Sequence, residues 1–151
     1  MLLEVRNITK SFGGLMAIRD LNVSIEEGEI VGLIGPNGSG KTTFFNVISS
    51  FLQPDKGHVY FGGQEITRCK PHEVARLGLA RTFQHPKPLL ELTAYENIRI
   101  AAFLKNRRHK EVAEESWKIL SRIGLEPMGN IPSHKLTYGQ KKILELTCLK
   151  S

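Results

Sequence analysis

An α/β fold organised around a phosphate-binding loop is what this sequence of 151 residues predicts. Three observations carry that expectation. Residues Ile30 to Ile34 form an apolar run without alternation, the pattern of a strand covered on both faces. The next eight residues, Gly35-Pro36-Asn37-Gly38-Ser39-Gly40-Lys41-Thr42, fill the pattern G-x-x-x-x-G-K-[ST]. Phe44, Val47, Ile48 and Phe51 then recur at the spacing of one helix face. Strand, glycine-rich loop and helix in that order are the context such a loop requires.

The remaining elements follow in chain order. Leu2 to Ile8 reads as a strand and Asn7 to Gly14 as a turn or loop. Leu21, Val23 and Ile25 alternate with polar residues, which marks a half-buried strand. The helix after the loop is expected over Lys41 to Phe51. His58 to Phe61 and Gln64 to Ile66 read as short strands paired around Gly62-Gly63. Pro71 to Leu77 is a short helix with proline at its first position, and Leu79 to Gln84 a further strand. Helices are expected over Thr93 to Leu104, Lys110 to Ile123 and Thr137 to Leu149. In the second of these Val112, Ser116, Ile119 and Ile123 share a face, and Trp117 pairs with Leu120. The sequence thus divides into an α/β part, residues 1–86, and a helical part, residues 87–151.

Composition narrows the function. A chain of this length fits one domain and can bury a core. No apolar run approaches the ~20 residues of a membrane span, and Glu4 and Arg6 interrupt the N-terminus too early for a signal peptide. A cytosolic chain is expected. Cys69 and Cys148 have no metal-type spacing and read as two reduced thiols. The net charge of +6 is uneven: residues 1–100 hold 11 Lys/Arg and 10 Asp/Glu, residues 101–151 hold 10 and 5. The densest basic run, Lys105, Arg107, Arg108 and Lys110, carries no interleaved aromatic residue on which bases would stack, so a solvated face is favoured and no nucleic-acid partner is expected.

The loop explains its own residue types. Phosphate oxygens crowd together, so backbone N–H groups must approach closely, and glycine permits both that approach and a positive φ. A helix beginning near Gly40 aims its unpaired N–H groups and the positive end of its dipole at the anion. Lys41 adds a full charge for the β and γ phosphates, Thr42 a hydroxyl for Mg²⁺, and Thr43 a second hydroxyl near the α-phosphate. A chance match to this pattern in a chain of this length is about a one-in-a-hundred event or rarer. The ligand expected is MgATP, held by Gly35, Pro36, Asn37, Gly38, Ser39, Gly40, Lys41, Thr42 and Thr43. No Asn-Lys-x-Asp base-reading motif of a GTPase is present.

With these motifs in their order, the chain resembles the ATP-binding subunits of ABC transporters. Phe12 stands 23 residues before Gly35, where the family places an aromatic residue that stacks on adenine. Gln84 follows Arg81-Thr82-Phe83 as in the family's Q-loop, and Leu136-Thr137-Tyr138-Gly139-Gln140 stands where the family has its LSGGQ signature. The stretches MLLEVRNITKSFGGLMAIRDL, EEGEIVGLIGPNGSGKTTFFNVI and PHEVARLGLARTFQ are similar to the subunits that energise branched-chain amino acid importers. Urea-type and lipopolysaccharide-type subunits are close relatives.

The resemblance implies a P-loop NTPase fold of ABC type, comprising a β-rich N-terminal part, a phosphate-loop core and a helical subdomain. It implies that Gln84 positions Mg²⁺ and the attacking water, with Thr42 and Gln84 as the metal-binding pair. It further implies that Leu136, Thr137, Tyr138, Gly139 and Gln140 contact ATP held by a second ATP-binding subunit, and that transmembrane permease subunits are partners at the inner face of the membrane. Thr137 to Gln140 also reads, from the residues themselves, as a helix capping box.

One departure stands out. After the signature the family continues with an apolar strand ending in Asp-Glu, a D-loop and a switch histidine, and this sequence stops at Ser151. Its two aspartates, Asp20 and Asp55, end no apolar run, and Glu145 has no partner aspartate. A positioned general base contributes typically ~10²–10⁴ in rate, so the chain alone is expected not to hydrolyse ATP. A cassette lacking the C-terminal part of its core sheet is expected. The alternative reading is a non-hydrolysing nucleotide-binding module from a truncated gene, acting only with a partner.

Overall fold

The computed structural model describes residues 1–82, 88–103 and 109–150. They form two compact units, Met1–Ala80 and Arg81–Ser151.

The first unit is built on a four-stranded antiparallel sheet of order β2-β1-β3-β4, with β1 at Leu3–Phe12, β2 at Leu15–Ile25, β3 at Lys56–Phe61 and β4 at Gln64–Glu65. The stretch from Asn7 to Gly14, expected as a turn, is instead mostly strand. Only Gly13-Gly14 turns, with φ of 50° and 90°, the two positive values that a two-residue type I′ hairpin needs.

Two bulges disguise the strands. Asn7 and Asp20 hold φ of 52° and 44°, and the pairing register shifts beside each of them. The extra residue at Asn7 restores parity, so that Leu3, Val5 and Ile8 all reach the core. Side chains supply the hydrogen bonds that the bulges disrupt. Asn7 Nδ2 donates to Asp20 Oδ1 at 2.8 Å, and the Asn7 N–H donates to Asn22 Oδ1 at 2.9 Å.

Helix α1, Lys41–Ile48, lays Phe44, Val47 and Ile48 into one core with Leu3, Val5, Ile8, Ile18 and Val59. It ends three residues earlier than expected. Ser50 turns left-handed at φ 57°, and the Ser49 hydroxyl bonds back to the Phe45 carbonyl. Phe51 therefore lies past the helix and is exposed. Ser50 Oγ bonds the Ile66 carbonyl at 3.2 Å and fixes the exit. Helix α2, Pro71–Arg76, closes the unit by inserting Val74.

Ile30 to Ile34 do not form the buried strand expected. Among the described residues no strand pairs with them, and Ile30 and Ile34 are 102% and 95% exposed. Among the described residues the sheet β2-β1-β3-β4 offers the run no partner strand, and its apolar side chains stay uncovered. Residues 79–82, the described part of the last expected strand, likewise form no strand.

The second unit packs α3 (Ala94–Phe103), α4 (His109–Arg122) and α5 (Tyr138–Lys150), with two 3₁₀ turns at Glu126–Met128 and Ser133–Lys135. Ile98, Leu120, Leu125, Leu136 and Leu144 make its core. In α4, Val112, Ser116 and Leu120 are fully buried while Ile119, and Ile123 just past the helix, are partly buried. Trp117 stacks on Tyr95 at 4.9 Å between ring centroids. Burial pushes the Cys148 thiol up to about 11, so it stays a protonated, unreactive thiol at neutral pH. No described helix is long and apolar enough to cross a membrane.

Candidate functional site

The loop between residues 35 and 42 is a closed crook. The Ser39 N–H donates to the Pro36 carbonyl at 3.3 Å, and the Phe44 N–H to the Gly40 carbonyl at 2.8 Å. Lys41 closes the ring from inside: its Nζ donates to the carbonyl oxygens of Gly35 and Pro36 at 2.6 Å each, and to Ser39 Oγ at 3.3 Å. Two carbonyls and a hydroxyl of the loop thus hold one ammonium.

Gly40 is the hinge of the arrangement. It is the N-cap of α1 in the left-handed region, at φ 85°. A side chain there would also overlap the Ala17 carbonyl oxygen on β2. With no side chain to cap the helix, the first-turn N–H groups of Lys41, Thr42 and Thr43 are not taken by one, as an anion site at a helix N-terminus requires. Gly35, Pro36, Asn37, Gly38, Ser39 and Thr42 are exposed; Gly40, Lys41 and Thr43 are half-buried.

These residues fit a polyanion accompanied by a hard cation. Mg²⁺ keeps most of its waters and takes few protein ligands beside phosphate oxygens. The Thr42 hydroxyl, exposed beside Lys41, could supply one such ligand. Among the described residues no group of three or more acidic, histidine or cysteine side chains is placed to cage a metal. Gln84, the other expected metal contact, lies outside the described residues.

Phe12 ends β1 at the tip of the hairpin and is 46% exposed. Lys10 Nζ lies over its ring, 5.7 Å from the centroid, and also bonds Asp55 Oδ1 at 2.7 Å. Sequence reasoning gives no sign that Lys10 and Asp55 meet beside Phe12. The signal available is small: Asp55 is one of two aspartates and stands immediately before β3.

The expected signature residues open α5. Leu136 is buried in the core of the second unit; Thr137, Tyr138 and Gly139 are exposed. The capping box read from the sequence is present. The Thr137 N–H donates to Gln140 Oε1 at 2.9 Å, and the Gln140 N–H to Thr137 Oγ1 at 3.3 Å. Thr137 and Gln140 therefore set the helix start, leaving Tyr138 and Gly139 as its projecting corner.

Residues 18–150 match the family model described as ABC transporter. The chain is 40% identical to a probable branched-chain amino acid transport ATP-binding protein LivG of Archaeoglobus fulgidus, over 96% of this chain and 61% of that protein. It is 37% identical to the high-affinity branched-chain amino acid transport ATP-binding protein BraF of Pseudomonas aeruginosa, over 96% of this chain and 63% of that protein. The chain thus spans about three fifths of the length of these relatives. A solved ATP-binding cassette of an ABC transporter superposes with a TM-score of 0.83 at 35% identity, covering 98% of this chain and 64% of that one. The ADP conformation of such a cassette gives 0.81 at 34% identity, covering 98% and 63%. A family match over most of the sequence, a shared cassette fold and an intact phosphate loop lead to one conclusion: the chain belongs to the ABC transporter family and has the fold of its ATP-binding cassettes over the part it spans.

Proposed function

We propose that the chain binds MgATP at residues 35–43 as the nucleotide-binding part of an ABC importer subunit for branched-chain amino acids. The observation that carries the reading is the Lys41 ammonium held inside a loop of exposed backbone at the uncapped start of α1. In this reading the loop amides and Lys41 hold the phosphates, Thr42 ligates Mg²⁺, Thr43 meets the α-phosphate, and Phe12 stacks on adenine. Gln84 orients water and metal. Leu136, Thr137, Tyr138, Gly139 and Gln140 present the start of α5 to ATP on a second ATP-binding subunit, whether a copy of this chain or a different one. Transmembrane permease subunits hold the assembly at the cytoplasmic face. The transport substrate rests on the names of the relatives, 40% and 37% identical.

Calorimetry with MgATP tests the site. Charge-assisted hydrogen bonds are worth ~1.5–3 kcal/mol, so Lys41→Ala is expected to weaken binding about 10- to 150-fold. Equal binding by both proteins overturns the assignment.

A second reading, binding without hydrolysis by this chain alone, is favoured by the carboxylates. Asp20 accepts from Asn7, Asp55 from Lys10 and the Ser11 N–H, and Glu145 is buried against Lys142 at 2.7 Å. Each is committed to structure. Phosphate release at background rate, with MgATP bound, is the expected result. Turnover that disappears in Lys41→Ala contradicts it.

A further inference from the structure

The tip of the β1–β2 hairpin is held by one residue that stands in for a strand. Pairing between β1 and β3 ends at Thr9↔Lys56, while β1 and β2 continue to Phe12↔Leu15. Beyond Thr9 the hairpin would be a bare two-stranded ribbon, which is marginal in water. Asp55 takes the place of the missing strand. Its N–H donates to the Thr9 carbonyl at 2.9 Å, its Oδ2 accepts the Ser11 N–H at 2.7 Å, and its Oδ1 accepts Lys10 Nζ at 2.7 Å. Three successive residues before Phe12 are thereby fixed.

Lys10 then reaches the ring itself. Its side chain is only 15% exposed, and its ammonium lies over Phe12. A cation over the ring is drawn to its π cloud, and with one face so engaged a flat ligand has the other. The hairpin is also indexed to the phosphate loop, because the Ala17 carbonyl abuts Gly40. Phe12 pairs with Leu15, two residues along β2 from Ala17. At 3.2–3.4 Å per residue that offset is roughly 7 Å along the strand, a span that ribose and the α-phosphate can bridge. The Lys10 ammonium and the Ser11 N–H hold the Asp55 carboxyl below the usual carboxylate range, so the clamp is charged at neutral pH.

We propose that Asp55 and Lys10 are positioning residues for Phe12, a clamp that fixes the aromatic wall for the base and so sets how much adenine adds to the binding of the phosphates. The proposal rests on the ATP-binding reading above and assigns its base-specific part. It makes base and phosphate recognition separable within one unit.

The experiment compares MgATP with magnesium tripolyphosphate, which has the phosphates and no base, by calorimetry on the 151-residue chain. Asp55→Asn and Lys10→Met are each expected to weaken MgATP about 3- to 10-fold, the scale set by removing an ordered cation–π interaction from a stacking site. Tripolyphosphate affinity is expected to stay at the wild-type value. Phe12→Ala is expected to reproduce the effect, and Phe12→Ala with Asp55→Asn to bind no more weakly than Phe12→Ala alone. A structural role for Asp55 would lower both ligands together, and that result overturns the proposal. So does a normal MgATP affinity in Asp55→Asn and Lys10→Met when Phe12→Ala is weakened. If Phe12→Ala itself binds MgATP normally, base stacking fails; if wild type binds neither ligand, the phosphate site fails. Should Asp55→Asn not fold, Lys10→Met decides alone, since it keeps the Asp55 bonds to the backbone.

Discussion

Asn97 Nδ2 donates to Ser133 Oγ at 3.0 Å across 36 residues of sequence, and both residues are buried. The same amide accepts the Leu89 N–H at 2.7 Å and donates to the carbonyls of Leu89 and Thr93 at 3.0 and 2.9 Å. One side chain on α3 therefore ties the segment entering the helix to the 3₁₀ turn that delivers Leu136 and the start of α5. Asn97→Ala strands the Leu89 N–H and the Ser133 hydroxyl. Leu89 is exposed and Ser133 fully buried, so one unsatisfied buried group at ~1–3 kcal/mol sets the scale, and a destabilisation of about 1–3 kcal/mol is expected. Hydrogen exchange should report it, with faster exchange across α3 and α5. Unchanged protection there contradicts the assignment.

Gly40 joins two demands, a left-handed backbone and close approach to the Ala17 carbonyl. Gly40→Ala meets a cost of about 1–2 kcal/mol for the backbone alone, before the overlap is relieved. A thermal midpoint lower by several degrees is expected, at about 2–4 °C per kcal/mol for a chain of this size. MgATP binding should fall as well, because the loop shifts with the residue. Calorimetric melts and titrations check the two effects separately.

The start of α3 gives a pH dependence of definite sign. The Thr93 N–H, at 2.8 Å, and then the Thr93 hydroxyl hold the Glu96 carboxyl below its ordinary value of 4.5. A group whose pKa is depressed by folding stabilises the fold above its unfolded pKa and loses that contribution as pH falls through the folded one. Glu96→Ala should therefore melt below wild type at pH 7, and the gap should close as pH is lowered below about 4.5. A gap of constant size down to pH 2 would show that the carboxylate charge plays no part.

Exposed Ile30 and Ile34, flanking half-exposed Val31 and Leu33, form an open apolar segment rich in β-formers. Such a segment favours pairing between chains. Sedimentation velocity should show concentration-dependent association of the 151-residue chain, reduced by Ile30→Lys with Ile34→Lys. A monomer at every concentration would refute this.

How legible the molecule is in its sequence depends on how local each determinant is. The phosphate loop and its helix are readable because eight adjacent residues carry the whole geometry. The capping box at Thr137 and Gln140 is readable for the same reason. The strand character of residues 7–12 is hidden because Asn7 and Asp20 break the alternation at bulges, and a bulge is specified by both strands together. Burial of Ile30 to Ile34 depends on neighbours outside the run, so an apolar pattern alone overstates it. Asn97 escapes notice because a lone asparagine in a helix gives no hint that it joins the preceding segment at Leu89 to the distant Ser133. Asp55 reads as an ordinary turn residue until β3 carries it alongside the end of β1.

Trp117 is the sole tryptophan of the chain. It stacks on Tyr95, and a side chain at Gly129 would overlap its ring. Its emission consequently reports on packing within Arg81–Ser151, where its contacts with Tyr95 and Gly129 lie. Excited selectively, this indole is an inbuilt optical tag for half of the polypeptide: comparing its denaturation curve with one from circular dichroism reveals whether both halves melt in concert or one after the other.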